Sequence, residues 1–215
     1  MIIEYALHDL TENDLNTRQQ IDKALNFSIN SISVYLPHIK IAKQAISSSK
    51  KDIPINVSID HPYGQTDTES RELIVKKAID NGAKIITMAC QWHYAVNRKY
   101  DKIRKDAENI LKLCEKNKTE LRYTLEYRAF SYPLMQKISE ILIEKDIYTV
   151  YVSSGQYLDN IYDNILASAM INKKVPDINI ICNGNFWTNE HIELLHKSDI
   201  YGQTAKSIHS LELLS

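Results

Sequence analysis

Short β-branched and aromatic runs alternate with longer amphipathic stretches along the whole chain. The runs are IIEYAL from Ile2, SISVYL from Ser31, INVSI from Ile55, KIITMA from Lys84, LRYTLEY from Leu121, YTVYVSS from Tyr148, INIICN from Ile178 and a short DIYG from Asp199. Their length and residue types predict strands. The intervening segments carry helical periodicity. In DTESRELIVKKAIDNG, Leu73, Ile74, Lys77 and Ala78 fall on one stripe, whose single charge can snorkel. Thr66 with Glu69, and Thr11 with Asp14, have the spacing of a helix N-cap and its reciprocal partner. Gly82 stands where a helix-ending glycine belongs, just before a strand. Eight strands alternating with helices require parallel pairing through crossover helices. Closing that sheet predicts an α/β fold, a (β/α)8 TIM barrel occupying residues 1–215 as one domain. An open doubly wound sheet is the alternative.

Composition adds mainly exclusions. Twenty-six basic and 27 acidic residues leave a formal net charge of −1, so no electrostatic reason exists to expect nucleic acid or an anionic membrane as partner. No apolar run approaches the roughly 20 residues of a membrane-spanning helix. The start, MIIEYALHDL, has neither the basic opening nor the small-residue cleavage site of a secretory signal. Cys90, Cys114 and Cys182 match no zinc or redox spacing and are expected to be reduced core thiols in a cytoplasmic protein.

Several segments, in order and spacing, resemble the deoxyribose-phosphate aldolases: SIDHPYGQTDTESRELIVKKAIDNGAKIITMA, LRYTLEY, TVYVSSGQ, INIICNGNFWT and DIYGQT. The resemblance runs from near Ser31 to Thr204 and weakly includes the first strand. All five glycines fall where the family uses them: Gly64 in the turn after the third strand, Gly82 before the fourth, and Gly155, Gly184 and Gly202 after the last three. Glycine at a strand end lets backbone N–H groups approach a ligand, and the last loops of such barrels often hold phosphate. Ser153, Ser154, Gly155, Asn183, Gly184, Asn185, Gly202 and Gln203 are therefore the expected ligand set. Their ligand would be a small phosphorylated metabolite.

The resemblance implies a carbon–carbon lyase acting through a Schiff base, with a nucleophilic lysine, a second lysine and an aspartate tuning its charge. Aligning the strands places Tyr151, Ile181 and Thr87 at those three positions. If Val150 and Val152 face the helices, Tyr151 and Ser153 face the barrel interior. Tyrosine forms no imine, and its usual pKa of roughly 10 makes it a poor base at neutral pH. Removing all three charges together predicts a mostly neutral interior that still packs. Lys40, Lys84, Lys145, Lys197 and Lys206 are all expected away from the last two positions of a strand.

Polar residues still gather at the predicted strand ends: Glu4, Asp60, His61, Trp92, His93, Glu126, Arg128, Tyr151, Ser153 and Asn183. Two imidazoles and a carboxylate, His61, His93 and Glu126, have the chemistry of an open divalent metal site, but no close ligand spacing supports one, and neither metal nor cofactor is expected. Proton transfer is the other use, with His61 or His93 as base and Tyr151 as acid. Glu126 also reads as a structural carboxylate. The pair Phe186-Trp187 either stacks on a ligand or closes the pocket. Three functions stay open: non-imine acid–base lyase or isomerase chemistry on a phosphorylated carbonyl compound, a non-catalytic ligand-binding or regulatory role, and a Schiff-base aldolase with a relocated lysine. Self-association is left open.

Overall fold

The computed structural model describes residues 1–215 apart from 10, 12, 158, 159 and 215. Eight strands form a closed parallel barrel in sequence order: β1 (Ile2–Leu7), β2 (Ser31–Tyr35), β3 (Ile55–Ile59), β4 (Ile85–Ala89), β5 (Glu120–Thr124), β6 (Thr149–Tyr151), β7 (Asn179–Asn183) and β8 (Gly202–Ala205). The helices are α1 (Asp14–Ala24), α2 (Ile39–Ser49), α3 (Thr68–Asn81), α4 (Trp92–Val96), α5 (Tyr100–Lys116), α6 (Tyr132–Ile143), α7 (Ile161–Lys174), α8 (Asn189–Lys197) and α9 (Ile208–Leu214). The expected (β/α)8 barrel is therefore the observed fold.

Period-two alternation decides what each strand buries. One set of positions, including Ile32, Val34, Val57, Ile86, Met88 and Val150, is fully buried in the apolar core built with the helices. The alternate set points inward and is polar. Glu4, Ser33, Ser58, Thr87, Thr124, Tyr151, Asn183 and Thr204, one from each strand, line a central space. Bulky branched residues usually fill such an interior, and here hydrogen-bonding side chains do.

Several local expectations need correction. The buried residues of α3 are Arg71, Val75 and Ala78, while Leu73 is 54% exposed and Lys77 faces solvent. Arg71 takes a core position because two acids converge on it: Asp60 Oδ2 at 2.8 Å and Asp106 Oδ2 at 3.1 Å. Asp67 caps α3, accepting from the Ser70 N–H, and Asn13 caps α1, accepting from the Asn16 N–H. Thr66 and Thr11 instead donate their hydroxyls to Asp60 and Asp9, closing the preceding turns. Gly82 ends α3 as expected. The eighth strand is GQTA rather than DIYG. Asp199 has a left-handed φ of 52°, which turns the chain before pairing starts, so only Gly202 is shared with the predicted run. Strand β6 is short because the Ser153 hydroxyl accepts from the Gly155 N–H and turns the chain out of the sheet.

The loop from β3 to α3 carries His61 and is fixed at several points. Gly64 passes the end of β4 with φ 60°, and a Cβ there would lie 2.1 Å from the Cys90 carbonyl oxygen. Asp60 accepts from the Gln65 and Thr66 N–H groups as well as from Arg71. The Arg71 charge is therefore compensated on both sides in a site without water access, and removing it leaves two acids uncompensated. Arg71→Met is expected to lower the unfolding free energy by about 3–5 kcal/mol in urea denaturation. The exposed Arg104→Ala is expected to change it by less than about 1 kcal/mol.

Candidate active site at the carboxyl end of the barrel

Glu4 occupies the centre of the barrel at 1% exposure. Its carboxylate accepts from Ser31 Oγ at 2.8 Å, Asn56 Nδ2 at 2.9 Å and the Tyr151 hydroxyl at 2.8 Å, and lies 3.4 Å from Arg122 Nη1. Tyr151 in turn accepts from Arg122 Nη1 at 3.0 Å and Asn56 Nδ2 at 3.2 Å. Thr87 donates to Asn56 Oδ1 at 2.9 Å. Arg122 also forks onto Glu120 at 2.7 and 2.9 Å. The interior is thus charged and paired, not neutral as expected. The signal was available: Arg122, Thr124 and Glu126 alternate along the predicted fifth strand, so Arg122 shares the inward parity of its neighbours. Burial, reinforced by the Glu4 charge, raises the Tyr151 phenol further above its ordinary value. A phenol so held, its O–H donated to the Glu4 carboxylate, is not an available acid.

His61 belongs to a separate cluster. Its Nε2 donates to the Ser154 carbonyl at 3.0 Å, and its Nδ1 accepts from the Tyr35 hydroxyl at 3.1 Å, which fixes the neutral tautomer. His8, overlooked in the sequence, follows β1 on the parity of Glu4. Its ring lies 5.2 Å from that of His61 and 4.8 Å from that of Tyr35. Ser33 and Ser58 hydroxyls meet its Nε2 at 3.0 and 3.2 Å. Burial keeps both imidazoles deprotonated, with His8 well below its ordinary value and His61 at about 4. His8, His61 and Tyr151 share the walls of a central cavity of only about 10 Å³, room for no more than one water.

His93 is not part of this cluster. It lies on α4, its ring tilted at 46° to that of Tyr94 with centroids 3.9 Å apart. Glu126 accepts from the Ser154 N–H at 2.9 Å, the Ser154 hydroxyl at 2.6 Å and the Arg128 N–H at 3.2 Å. Among the described residues, no three His, Cys, Asp or Glu side chains converge as a metal site. Ser153 and Ser154 are buried and bonded within their own turn.

The open space lies beside the barrel axis. A cavity of about 600 Å³ is bounded by the end of β1, α1 and the loops after β6 and β8, with His8, Lys23, Gly155, Asn185, Lys206 and Ser207 among its walls. A second, of about 450 Å³, lies between the loops after β6 and β7, with Asn183, Gly184, Asn185, Trp187 and Lys206 in its lining. Phe186 is fully buried in the apolar core and Trp187 is 57% exposed, so the pair divides between packing and cavity wall. Lys206 was expected in a loop away from the strand ends. The later start of β8 makes it the residue immediately after that strand, at the carboxyl end, where its Nζ donates to the Gly155 carbonyl at 2.8 Å. Gly155 makes room for it: with φ 69°, a Cβ would come within 1.7 Å of that ammonium nitrogen. Gly202 and Gln203, expected to touch ligand, instead open β8 at the opposite end. Gly202 pairs with Ile2, and Gln203 is fully buried beside it.

No protein-family model matches the chain. The deoxyribose-phosphate aldolase of Thermococcus gammatolerans is 25% identical over 134 residues, 62% of this chain and 60% of that one. The Staphylococcus saprophyticus enzyme of the same name is 28% identical over 112 residues, 50% of each chain. The chain thus matches about half to three fifths of these relatives' length. Among solved structures, the deoxyribose phosphate aldolase of Aeropyrum pernix, described as tetrameric, superimposes with a TM-score of 0.85 at 11% identity over 99% of this chain and 87% of that one. An aldolase designated QR15 gives 0.83 at 17% identity, over 100% and 93% of the two chains. The chain is thus similar in sequence to deoxyribose-phosphate aldolases and shares the barrel fold of that superfamily's solved structures.

Within that superfamily fold, the three positions aligned with the imine machinery come together in space. Tyr151 pairs in register with Ile181, and Thr87 reaches Tyr151 through Asn56. No lysine is among the residues lining the central cavity.

Two measurements check this geometry. Tyr151→Phe leaves Glu4, Arg122 and Asn56 each short of a partner, and is expected to cost about 1–3 kcal/mol of stability in urea denaturation. His61 titrates at about 4 in the fold against 6.5 ordinarily. The unfolded chain therefore takes up a proton first, and stability falls as pH drops through that window. A His61→Asn variant, followed by thermal melting from pH 7 to 4, is expected to show a shallower decline than the unaltered protein.

Proposed function

We propose that the chain binds a small phosphorylated carbonyl compound at the carboxyl end of the barrel, with its phosphate at Lys206, and that any turnover uses acid–base rather than imine chemistry. The observation that carries this reading is the position of Lys206, whose ammonium group lines both large cavities beside Gly155 and Asn185. Lys23 adds a second cation to the larger cavity, against the single carboxylate of Asp9. Such a wall attracts a phosphate dianion and repays its desolvation through charge-assisted hydrogen bonds.

His8 lines the same cavity as the lysines and also the central space, which supports a role for it at the carbonyl end of such a ligand. The Ser33 and Ser58 hydroxyls both lie within hydrogen-bond distance of its Nε2, and either one donating there leaves the ring proton on Nδ1. A neutral imidazole in that tautomer can polarise a carbonyl oxygen by hydrogen bonding. His61 and Tyr35 extend the same polar cluster. Tyr151 takes no step, because its hydroxyl is committed to Glu4. The near-filled central cavity also favours the non-catalytic form of this reading, in which ligand is bound and released unchanged. A second reading, an imine on Lys206, is favoured by that residue's place at the end of β8.

The cytoplasm is the proposed setting, supported by cysteines buried in the core at spacings that match no zinc or redox motif. Among the described residues no helix is long and apolar enough to cross a membrane. Self-association is proposed by analogy with the tetramer of the Aeropyrum pernix enzyme.

Calorimetric titration with deoxyribose 5-phosphate and glyceraldehyde 3-phosphate tests the binding step. Saturable binding, weakened at least about tenfold by Lys206→Met, is expected. Absence of binding by either compound would sink the reading. Intact-mass measurement after borohydride reduction with the same compounds is expected to show no adduct; an adduct mapped to Lys206 would establish the imine reading instead.

A further inference from the structure

A third cavity, of about 390 Å³, lies at the same end of the barrel, walled mainly by other loops and sharing Tyr157 with the second. Its walls come from the β3–α3 loop (Pro62, Tyr63, Gln65), the start of α4 (Trp92, Val96), the loop after β5 (Glu126, Ala129, Phe130) and Tyr157. None of the catalytic or phosphate-binding roles proposed above uses Tyr63, Trp92, Phe130 or Tyr157.

Three large rings stand exposed around this one concavity: Tyr63 at 48%, Trp92 at 44% and Tyr157 at 40%. Tyr63 and Tyr157 meet edge to face, with centroids 6.1 Å apart and planes at 82°. Phe130 contributes a buried ring to the same lining. Exposing so much aromatic surface in one place is unfavourable unless something covers it. The cavity has the volume and concavity of a small-molecule site rather than of a flat protein interface.

The charges select the ligand. Among the described lining residues, Glu126 carries the one carboxylate, and lysine, arginine and histidine are absent. Burial pushes the Cys90 thiol up to about 12, so it contributes no charge at neutral pH. Aromatic faces present the negative part of their quadrupole and attract cations, tryptophan most strongly. A carboxylate beside them adds attraction of the same sign. Both features repel the phosphorylated compound assigned to the Lys206 cavities, which are cationic. We infer that this cavity is an aromatic cage for an organic ammonium group, of the kind carried by a quaternary amine or a methylated lysine side chain.

Calorimetric titration of the intact protein with choline, with its uncharged isostere 3,3-dimethylbutanol, and with a short trimethyllysine peptide tests the inference. Choline or the peptide is expected to bind at least about fivefold more tightly than the isostere. The tighter of the two cations identifies the source of the ammonium group. Trp92→Ala and Tyr63→Ala are each expected to weaken that binding at least about fivefold, while leaving the response to phosphorylated ligands unchanged. Circular dichroism establishes that each variant is folded, and the two substitutions lie on different loops, so a local defect in one does not decide the outcome. Equal binding of cation and isostere would overturn the charge selectivity. Cation binding that survives both substitutions in folded protein would overturn the site, as would no saturation by either cation up to about 50 mM. The phosphate reading stands or falls separately, on Lys206→Met.

Discussion

The Glu4 carboxylate sits on the axis of the barrel, out of reach of water, and much of the interior is arranged to keep it there. A buried ion without partners costs several kcal/mol, and that cost is met only by close and complete hydrogen bonding. Ser31, Asn56, Tyr151 and Arg122 supply the contacts from four different strands. Each of those residues then needs its own remaining valences satisfied. Thr87 answers for Asn56, and Glu120 answers for Arg122. The result is a hydrogen-bonded layer across the barrel, with polar side chains doing the filling that branched apolar residues do in most barrels.

That layer determines where a ligand can go. Tyr151, His8 and His61 leave only about 10 Å³ of axial space at the position at which the family resemblance implies an imine. Open volume is displaced outward, into cavities under the loops of β1, β6, β7 and β8 on one side and of β3, β4 and β5 on the other. The two sides differ in sign: one is lined by Lys206 and Lys23, the other by aromatic rings and Glu126. The turn after β6 lies between them. Gly155 borders the cationic cavities, Tyr157 borders both the aromatic cavity and one of the cationic ones, and Ser154 is tied to Glu126. The stretch TVYVSSGQ is thus a structural partition as much as a strand end.

The Arg71 cluster does for the outer layer what the Glu4 network does for the inner one. By binding Asp60 and Asp106 it fixes the loop after β3 to α3 and α5, and that loop delivers both His61 and Tyr63 to the barrel mouth. A charged residue in the first turn of an amphipathic helix normally reads as solvent-facing. Arg71 was hidden for that reason. Its two partners are 11 and 35 positions away in sequence, and only packing brings them together.

The sequence by itself determined the architecture, because strand and helix periodicities are local properties of neighbouring residues. Eight alternating runs left few topologies, and the inward placement of Tyr151 followed from the parity of Val150 and Val152. The burial of the cysteines and the glycine turn at Gly64 were legible in the same way. Tertiary structure decided the site. A three-residue shift in where β8 begins moved Lys206 to the barrel mouth and Gly202 and Gln203 to the opposite end. Whether His8, Arg122 and Tyr151 are available or committed depends on partners from distant strands. Their protonation follows burial and charge at those contacts, which chain order does not encode, since the energies involved arise between residues that meet only once the barrel has closed.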